Sequence, residues 1–356
     1  MRRALYAQLP GARTKRRVIF GILGAAILCG LGFAYSDLAK VESTRGLDGE
    51  LRIPAYGDGL PSQLTSVDQP EEKQVSALGF REPLIEKAVR ATLRKGQADP
   101  VTAEELKSVA GLYICADTVS PDQNGFYASV GEWYKSGSGV RGGITSLEDV
   151  RLLPNLRILC VAAQSIADIS VLEALPLLEK IELKHNRISD IAVLPRLPAL
   201  ASVGLNDNPL KDASPLGRCA NLRFLDLCDV QGYDPAFLGE LGDFEVLDIA
   251  NHTDSYRYLG SRRVRELKLG YSSFDSLDWL SDVTGLESLE VKHSMLKSLA
   301  GMEAHAELKY LNIAGCPIGD LTPVLALPAL RTLVLSEDLR PAAEALGPVS
   351  FNITYE

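Results

Sequence analysis

The sequence predicts an α/β repeat solenoid, with a curved parallel β-sheet on its concave side and short helical or irregular segments on its convex side. The first observation is a period of 22 residues, seen in consecutive stretches that begin at Leu153, Leu175, Leu197 and Cys219. The second is that positions four, seven and nine are apolar in all ten copies. At 46% apolar composition, thirty such matches have chance odds of roughly one in 10¹⁰.

The spacing of the apolar positions within one copy predicts the path of the chain. Positions seven and nine alternate with polar ones, as in a short strand with one buried face. Positions fourteen, seventeen and twenty return at helix-like intervals, so the chain is expected to curl back beneath the strand. At position twelve, the Asn186 and Asn208 side chains can bond the turn backbone of neighbouring coils. A single coil cannot bury its own apolar face, so stacked coils should share one core.

The N-terminal residues predict a membrane anchor. Residues 1–17 carry six basic side chains and no acidic one, and residues 18–36 are uncharged. As a helix, residues 18–36 would span roughly 28 Å at about 1.5 Å per residue, close to the hydrocarbon thickness of a bilayer. The cationic tail, 1–17, should stay in the cytoplasm and the repeats should face outward. A signal peptide cleaved after about Ala34 is the alternative.

The rest of the chain divides into four predicted segments. Residues 37–79 are rich in Gly, Pro, Ser and charge and predict a flexible linker. Residues 80–105 predict a helical cap, whose second helix opens with a Thr102–Glu105 capping box. The repeats cover 106–348, with an insertion at about 116–143 in the first copy, and 349–356 predict an end strand.

Charge and motif content argue against several function classes. Beyond residue 17 the chain has 31 basic and 46 acidic residues, because six of its 37 basic residues lie in the tail. That excess of acid disfavours nucleic-acid binding. No catalytic motif is present, and no two of the four histidines lie three or four residues apart. Five irregularly spaced cysteines after the anchor predict neither a disulfide framework nor a zinc site. We therefore expect no enzyme, no metal and no cofactor.

One stretch of the second regular copy, LEKIELKHNRISDIAVL, carries the pattern L-x-x-L-x-L-x-x-N-x-I-x-D-I-x-x-L almost intact. This pattern resembles the leucine-rich repeats of bacterial internalin-type surface proteins. The segment FREPLIEKAVRATLRK…VTAEELKSV is similar to the helical cap that precedes such repeats. The resemblance covers about residues 80–348 and implies the fold, while that family displays many binding activities on one scaffold. Unlike wall-anchored members, the chain shows no C-terminal sorting signal.

Two regions are candidate binding sites. The insertion is rich in Gly and Ser, which predicts flexibility, and it contains four aromatic residues, Phe126, Tyr127, Trp133 and Tyr134. These aromatic side chains either bind a partner or fold back over the cap as a local cluster. The second region is the exposed strand face at positions six, eight and ten. We expect its solvated residues to contact a partner: Phe224, Asp226, Val246, Asp248, Lys268 and Tyr310.

These observations together predict a membrane-tethered, extracytoplasmic binding module whose partner is a protein or a cell-envelope polymer. Ten strands about 4.8 Å apart would give a concave surface roughly 45 Å long, enough for a standard protein interface. A scaffold or spacer in a cell-envelope complex is the alternative from another class. An enzyme with an unrecognised site is the third alternative.

Overall fold

A computed structural model describes residues 78–230, 232–252 and 255–356. The predicted cytoplasmic tail, the membrane anchor and nearly all of the linker lie outside these residues. Within the described ranges, no helix is both long and apolar enough to cross a membrane.

A twelve-stranded sheet runs the length of the described chain. Its strands lie side by side in chain order, except that β2 pairs with the outer edge of β1. This β1–β2 pair is antiparallel, and every other neighbouring pair is parallel. The strands are β1 (Gly111–Cys115), β2 (Thr118–Val119), β3 (Ile158–Ala162), β4 (Lys180–Glu182), β5 (Ser202–Gly204), β6 (Phe224–Asp226), β7 (Phe244–Asp248), β8 (Val264–Lys268), β9 (Ser288–Glu290), β10 (Tyr310–Asn312), β11 (Thr332–Leu335) and β12 (Asn352–Tyr355).

The strands pair in the register that the 22-residue period predicts. Leu159 of β3 lies beside Ile181 of β4, which lies beside Val203 of β5, so position seven aligns across the strands. The side chains at positions seven and nine are buried in a single continuous core. The predicted solenoid and its parallel sheet are confirmed. We call the opposite side of the strands, at positions six, eight and ten, the sheet face.

The side of the solenoid opposite the sheet consists of short 3₁₀ helices, as the helix-like spacing predicted. In the copy that contains Leu159, the side chains of Ile166, Ile169 and Leu172 turn into the core. The 3₁₀ helices are Glu148–Leu152, Ser170–Ala174, Leu194–Arg196, Ser214–Arg218, Pro235–Glu240, Ser255–Tyr258, Asp278–Leu280, Met302–Ala304, Thr322–Ala326 and Glu337–Leu339.

The asparagines at position twelve bond neighbouring coils together. Asn208 accepts a hydrogen bond from the backbone N–H of Ile188 in the preceding coil at 3.0 Å. Its Nδ2 donates to the carbonyl oxygens of Leu183 and Leu205, one in each coil, at 2.9 and 3.0 Å. Asn186 repeats this arrangement one coil earlier. These side chains satisfy buried backbone groups that the turn leaves without partners.

Position eleven is the turn that ends each strand, and its backbone is left-handed. The φ values lie between 47° and 70° in the nine copies from Ala116 to Gly315. Asp, Asn, His and Gly adopt this conformation more readily than β-branched residues. They occupy six of the nine positions, including His185 and His293, and no Val, Ile or Thr occurs there. The histidines therefore have a local backbone role.

Two helices precede β1. Helix α1 (Pro83–Thr92) places Ile85, Ala88 and Val89 in the continuous core. Helix α2 (Ala103–Ser108) begins with the predicted capping box: Glu105 N–H donates to the Thr102 hydroxyl, and the Glu105 carboxylate accepts from Thr102 N–H. Helix α3 (Gln123–Ser136) follows β2, and a further short helix, α4 (Arg340–Glu344), lies between β11 and β12.

Candidate functional site

The insertion in the first copy is a folded element, so the prediction of a flexible segment is wrong. After β2, the chain forms α3 (Gln123–Ser136), with Asp122 accepting from Gly125 N–H at its start and Gly137 left-handed at its end. The glycines suggested mobility, but a regular N-cap and C-cap outweigh them here. The aromatic residues lie along α3.

Helix α3 packs on the sheet face of the first strands. Phe126, Tyr127 and Val130 form a second apolar cluster with side chains of β1 and β3, and Trp133 and Tyr134 pack against this cluster. Phe126 and Tyr127 are buried, so their side chains are not exposed to a partner in this conformation. The insertion does fold back, but onto the sheet instead of the helical cap.

Polar contacts fix α3 to the third strand of the repeat array, β4. The Tyr127 hydroxyl donates to Glu182 Oε1 at 3.3 Å and accepts from Lys180 Nζ at 2.9 Å. Further along α3, the Tyr134 hydroxyl is hydrogen bonded to His185 Nε2, and the Trp133 ring lies 4.7 Å from the His185 ring. The helix therefore covers the sheet face from β1 to β4.

The middle row of the sheet face, position eight, is buried apart from the half-buried Glu290, which corrects the prediction of a solvated surface. Asp226, Asp248 and Lys268 are 4%, 1% and 4% exposed. In this row each side chain lies between neighbours about 4.8 Å away on adjacent strands and between the side chains of positions six and ten. Val246, at position six, is also buried, while Phe224 and Tyr310 are half-buried.

Charged side chains two residues apart along the chain form ion pairs on the sheet face. Lys184 Nζ lies 3.4 Å from Glu182 Oε2, and Lys268 Nζ lies 3.2 Å from Glu266 Oε1. Burial alone would lower the pKa of Lys184, but the carboxylates of Glu182 and Asp226 raise it above its usual value. The lysines are therefore held as buried cations. Lys292 and Glu290 form a similar pair at 3.1 Å.

Asp226 and Asp248 lie side by side on β6 and β7. Burial raises the pKa of Asp226, opposed by Lys184. Burial and the neighbouring Asp226 raise the pKa of Asp248 well above its usual value. Lys268, beside Asp248 on β8, opposes the rise for Asp248. The hydrogen-bond donors to the two carboxyl groups are neutral: Asn206 Nδ2 and Cys228 N–H donate to Asp226 Oδ1, and Ala250 N–H donates to Asp248 Oδ1.

This pair gives a pH-dependent stability. Because the pKa of Asp248 is higher in the folded chain than the usual 3.8, the folded state holds a proton that the unfolded state has lost as pH rises above about 4. The free energy of unfolding should therefore fall with pH through this window. Asp248→Asn has no carboxyl group to ionise, so its free energy of unfolding should fall less with pH. The variant should therefore gain stability relative to the parent as pH rises. Urea unfolding at several pH values measures this difference.

The exposed Asp117→Asn is the matched control and should show no such pH-dependent difference. A difference between Asp248→Asn and the parent that stays constant from pH 3 to 8 would contradict the raised pKa.

The predicted site residues do not form one cluster. Phe224, Asp226, Val246, Asp248 and Lys268 adjoin one another on β6, β7 and β8, whereas Tyr310 lies two strands further along, on β10. The sequence analysis did not select Glu182 and Lys184 as site residues. The available signal was that Lys180, Glu182 and Lys184 are charged and spaced by two, as on one face of a strand. The sequence analysis also missed Asn206, for which the sequence offered no signal. No group of three or more metal-binding side chains is found among the described residues.

The comparisons with known proteins concern the fold. No protein-family model matches the chain, and no curated protein matches it. The crystal structure of an internalin (InlF) from Listeria monocytogenes is similar, with a TM-score of 0.53 and 23% identity, over 77% of this chain and 91% of the internalin. Internalin C2 of the same organism has a TM-score of 0.44 and 18% identity over 72% of this chain and 94% of its own. A Leptospira interrogans leucine-rich-repeat protein has a TM-score of 0.45 and 16% identity over 61% of this chain and 65% of its own.

Only the first of these three structures has a TM-score above 0.5. Because its sequence identity to this chain is 23%, the similarity concerns the fold alone. The repeat spacing, the parallel sheet and this similarity agree. The chain is a leucine-rich-repeat solenoid whose fold is similar to that of a bacterial internalin.

Proposed function

We propose that this chain is a binding module that takes a partner protein on its sheet face. The observation that carries the proposal is the polar cluster on β4 to β7, where buried charges and partly unpaired acceptors border the half-buried Phe224 ring. A surface that served only as a spacer would not need buried charges, since charges are costly to bury. Aromatic side chains beside a polar rim are typical of the residues that dominate interfaces.

The proposal includes tethering and an end cap. The basic residues 1–17 and the uncharged residues 18–36 support a single-pass anchor with the repeats outside the cytoplasm. We also propose that α1 and α2 close the N-terminal end of the solenoid. In support, the α1 side chains Ile85 and Val89 enter the core, and Asp149 Oδ2 accepts from the backbone N–H groups of Arg81 and Glu82 at 2.9 and 2.6 Å.

Photo-crosslinking in cells tests the binding surface. A benzoylphenylalanine at Tyr310, on the sheet face, should crosslink the full-length chain to a partner protein, and the same group at the exposed Leu325, in the 3₁₀ segment opposite, should not. Capture at Leu325 but not at Tyr310 would instead favour the scaffold role, which uses the lateral or opposite surfaces of the solenoid.

Phe224→Ala should weaken binding of the captured partner by at least about 1 kcal/mol, because the half-buried ring offers apolar area beside the polar cluster. Folding should change little, since Phe224 lies outside the core. Binding measured by calorimetry and urea unfolding check the two statements. Arg157→Ala is the control: its exposed ion pair with Glu179 lies off the face, so both quantities should stay near those of the parent. Unfolding of Phe224→Ala would show that the ring is core.

The predicted topology has a direct test. External protease should digest the repeats in sealed right-side-out spheroplasts, because the positive-inside rule places them outside. Repeats that survive until the membrane is lysed would contradict the outward placement. A mature N-terminus near Tyr35 would convert the anchor into a cleaved signal peptide.

A further inference from the structure

A small cavity opens at the middle of the sheet face, just beyond the edge of α3. Its lining includes Glu182, Ser202, Phe224, Asp226 and Val246. Row eight has no side chain on β5, where it reaches Gly204 between Glu182 of β4 and Asp226 of β6. The Glu182 carboxylate leans across this glycine and occupies the space that a Cβ would need. The carboxylates of Glu182 and Asp226 both belong to residues that line the cavity.

Two buried side-chain oxygens in or beside this cavity lack a well-formed hydrogen bond within the described chain. They are Glu182 Oε2 and Asn206 Oδ1, on side chains that are 1% and 6% exposed. Lys184 Nζ forms an ion pair with Glu182 Oε2 at 3.4 Å, which is long for a hydrogen bond. Asn206 Nδ2 donates to Asp226 Oδ1 at 2.5 Å, while Asn206 Oδ1 accepts from no donor in the described chain. A poorly satisfied buried acceptor is destabilising, and a ligand with several donors in the cavity would improve the bonding of Glu182, which lines it.

One carboxylate at the cavity favours a cation. The four lysines at positions six, eight and ten from β4 to β9 form ion pairs with Glu182, Glu266 and Glu290. Asp226, which borders the cavity, forms no ion pair within 4 Å in the described residues.

We propose that this cavity takes the guanidinium group of an arginine side chain presented by the partner protein. The proposal rests on the proposed function of the sheet face and names the chemistry that the face recognises. A guanidinium has five donors in a planar fork, which suits the carboxylate acceptors of Glu182 and Asp226 in the cavity lining. Its flat face can lie against the Phe224 ring, and its aliphatic stem against Val246. A lysine ammonium is a compact point charge without this planar fork.

The experiment uses the full-length chain and three capped tripeptides as probes: Ac-Gly-Arg-Gly-NH₂, its citrulline counterpart and its lysine counterpart. Citrulline has the shape of arginine without the charge. Binding is followed by NMR at the Val246 methyl groups and the Asn206 side-chain amide. We expect saturable shifts with the arginine peptide, and at least tenfold weaker binding of the other two. Equal binding of citrulline would overturn the charge argument, and equal binding of lysine would overturn the guanidinium assignment.

Asp226→Asn tests the site itself, because asparagine keeps the Oδ1 that accepts from Cys228 N–H and removes the charge. The arginine peptide should bind this variant at least tenfold more weakly. Glu307→Gln, at an exposed carboxylate away from the face, should bind like the parent. Should Asp226→Asn misfold, Phe224→Ala gives the same test through the stacking surface. Unchanged affinity in the folded variant would overturn the proposal. Crosslinking from Tyr310 would still succeed in that case, so the failure of this site is distinguishable from failure of the proposed function.

Discussion

Lys184→Met will lower the free energy of unfolding by about 3–5 kcal/mol, the usual cost of removing one partner of a buried ion pair. Lys184 is only 2% exposed. Its ammonium lies 3.4 Å from Glu182 and also stabilises the Asp226 carboxylate. Methionine fills much of the same volume, but it removes the positive charge that stabilises the buried carboxylates of Glu182 and Asp226. Urea unfolding at neutral pH measures the loss.

The control for Lys184→Met is Lys107→Met. Lys107 pairs with Glu104 at 2.8 Å on the surface of α2, where such pairs contribute about 0–1 kcal/mol. The double variant Glu182→Gln/Lys184→Met should recover part of the loss, since it removes one of the stranded charges. A loss below about 1 kcal/mol for Lys184→Met alone would mean that Lys180, 3.7 Å from Glu182, replaces it.

Leu183→Ala will cost about 2–5 kcal/mol, the range for truncating a buried leucine. Leu183 occupies position nine of a regular copy and is fully buried in the continuous core. Leu177→Ala is a matched control in the same copy, because Leu177 is exposed and its truncation leaves no cavity. Thermal or urea unfolding of the two variants gives the comparison. A cost below about 1 kcal/mol at Leu183 would contradict the assigned register.

The fold could be predicted because the determining signal is local and repeated. Positions seven and nine of every copy have one neighbour above and one below, so a single register fixes the whole core. The asparagines at position twelve were predicted for the same reason: Asn186 and Asn208 bond only their own turn and the adjacent coil. Contacts between adjacent coils recur every 22 residues and are therefore visible in the sequence.

The candidate site was predicted less well because its contacts are long-range. Tyr127 meets Glu182, 55 residues away, by way of an insertion that has no counterpart in other copies. Glycines at 125 and 131 concealed α3, although Asp122 and Gly137 are recognisable start and stop signals. Position eight was expected to be solvated because it points away from the core. Its burial follows from pairs such as Glu266 with Lys268, which cover one another.

The position of α3 sets the size and orientation of what can dock. With β1, β3 and β4 covered, the open part of the sheet face runs from β5 to β12, about 34 Å at about 4.8 Å per strand, against the roughly 45 Å expected from ten strands. That length matches an extended peptide of about ten residues at about 3.3 Å each. The covered end also makes the sheet face asymmetric, so a docked chain would meet α3 at one end and an uncovered strand at the other. Such a face would distinguish the two directions of a bound segment, as a sheet uncovered at both ends would not.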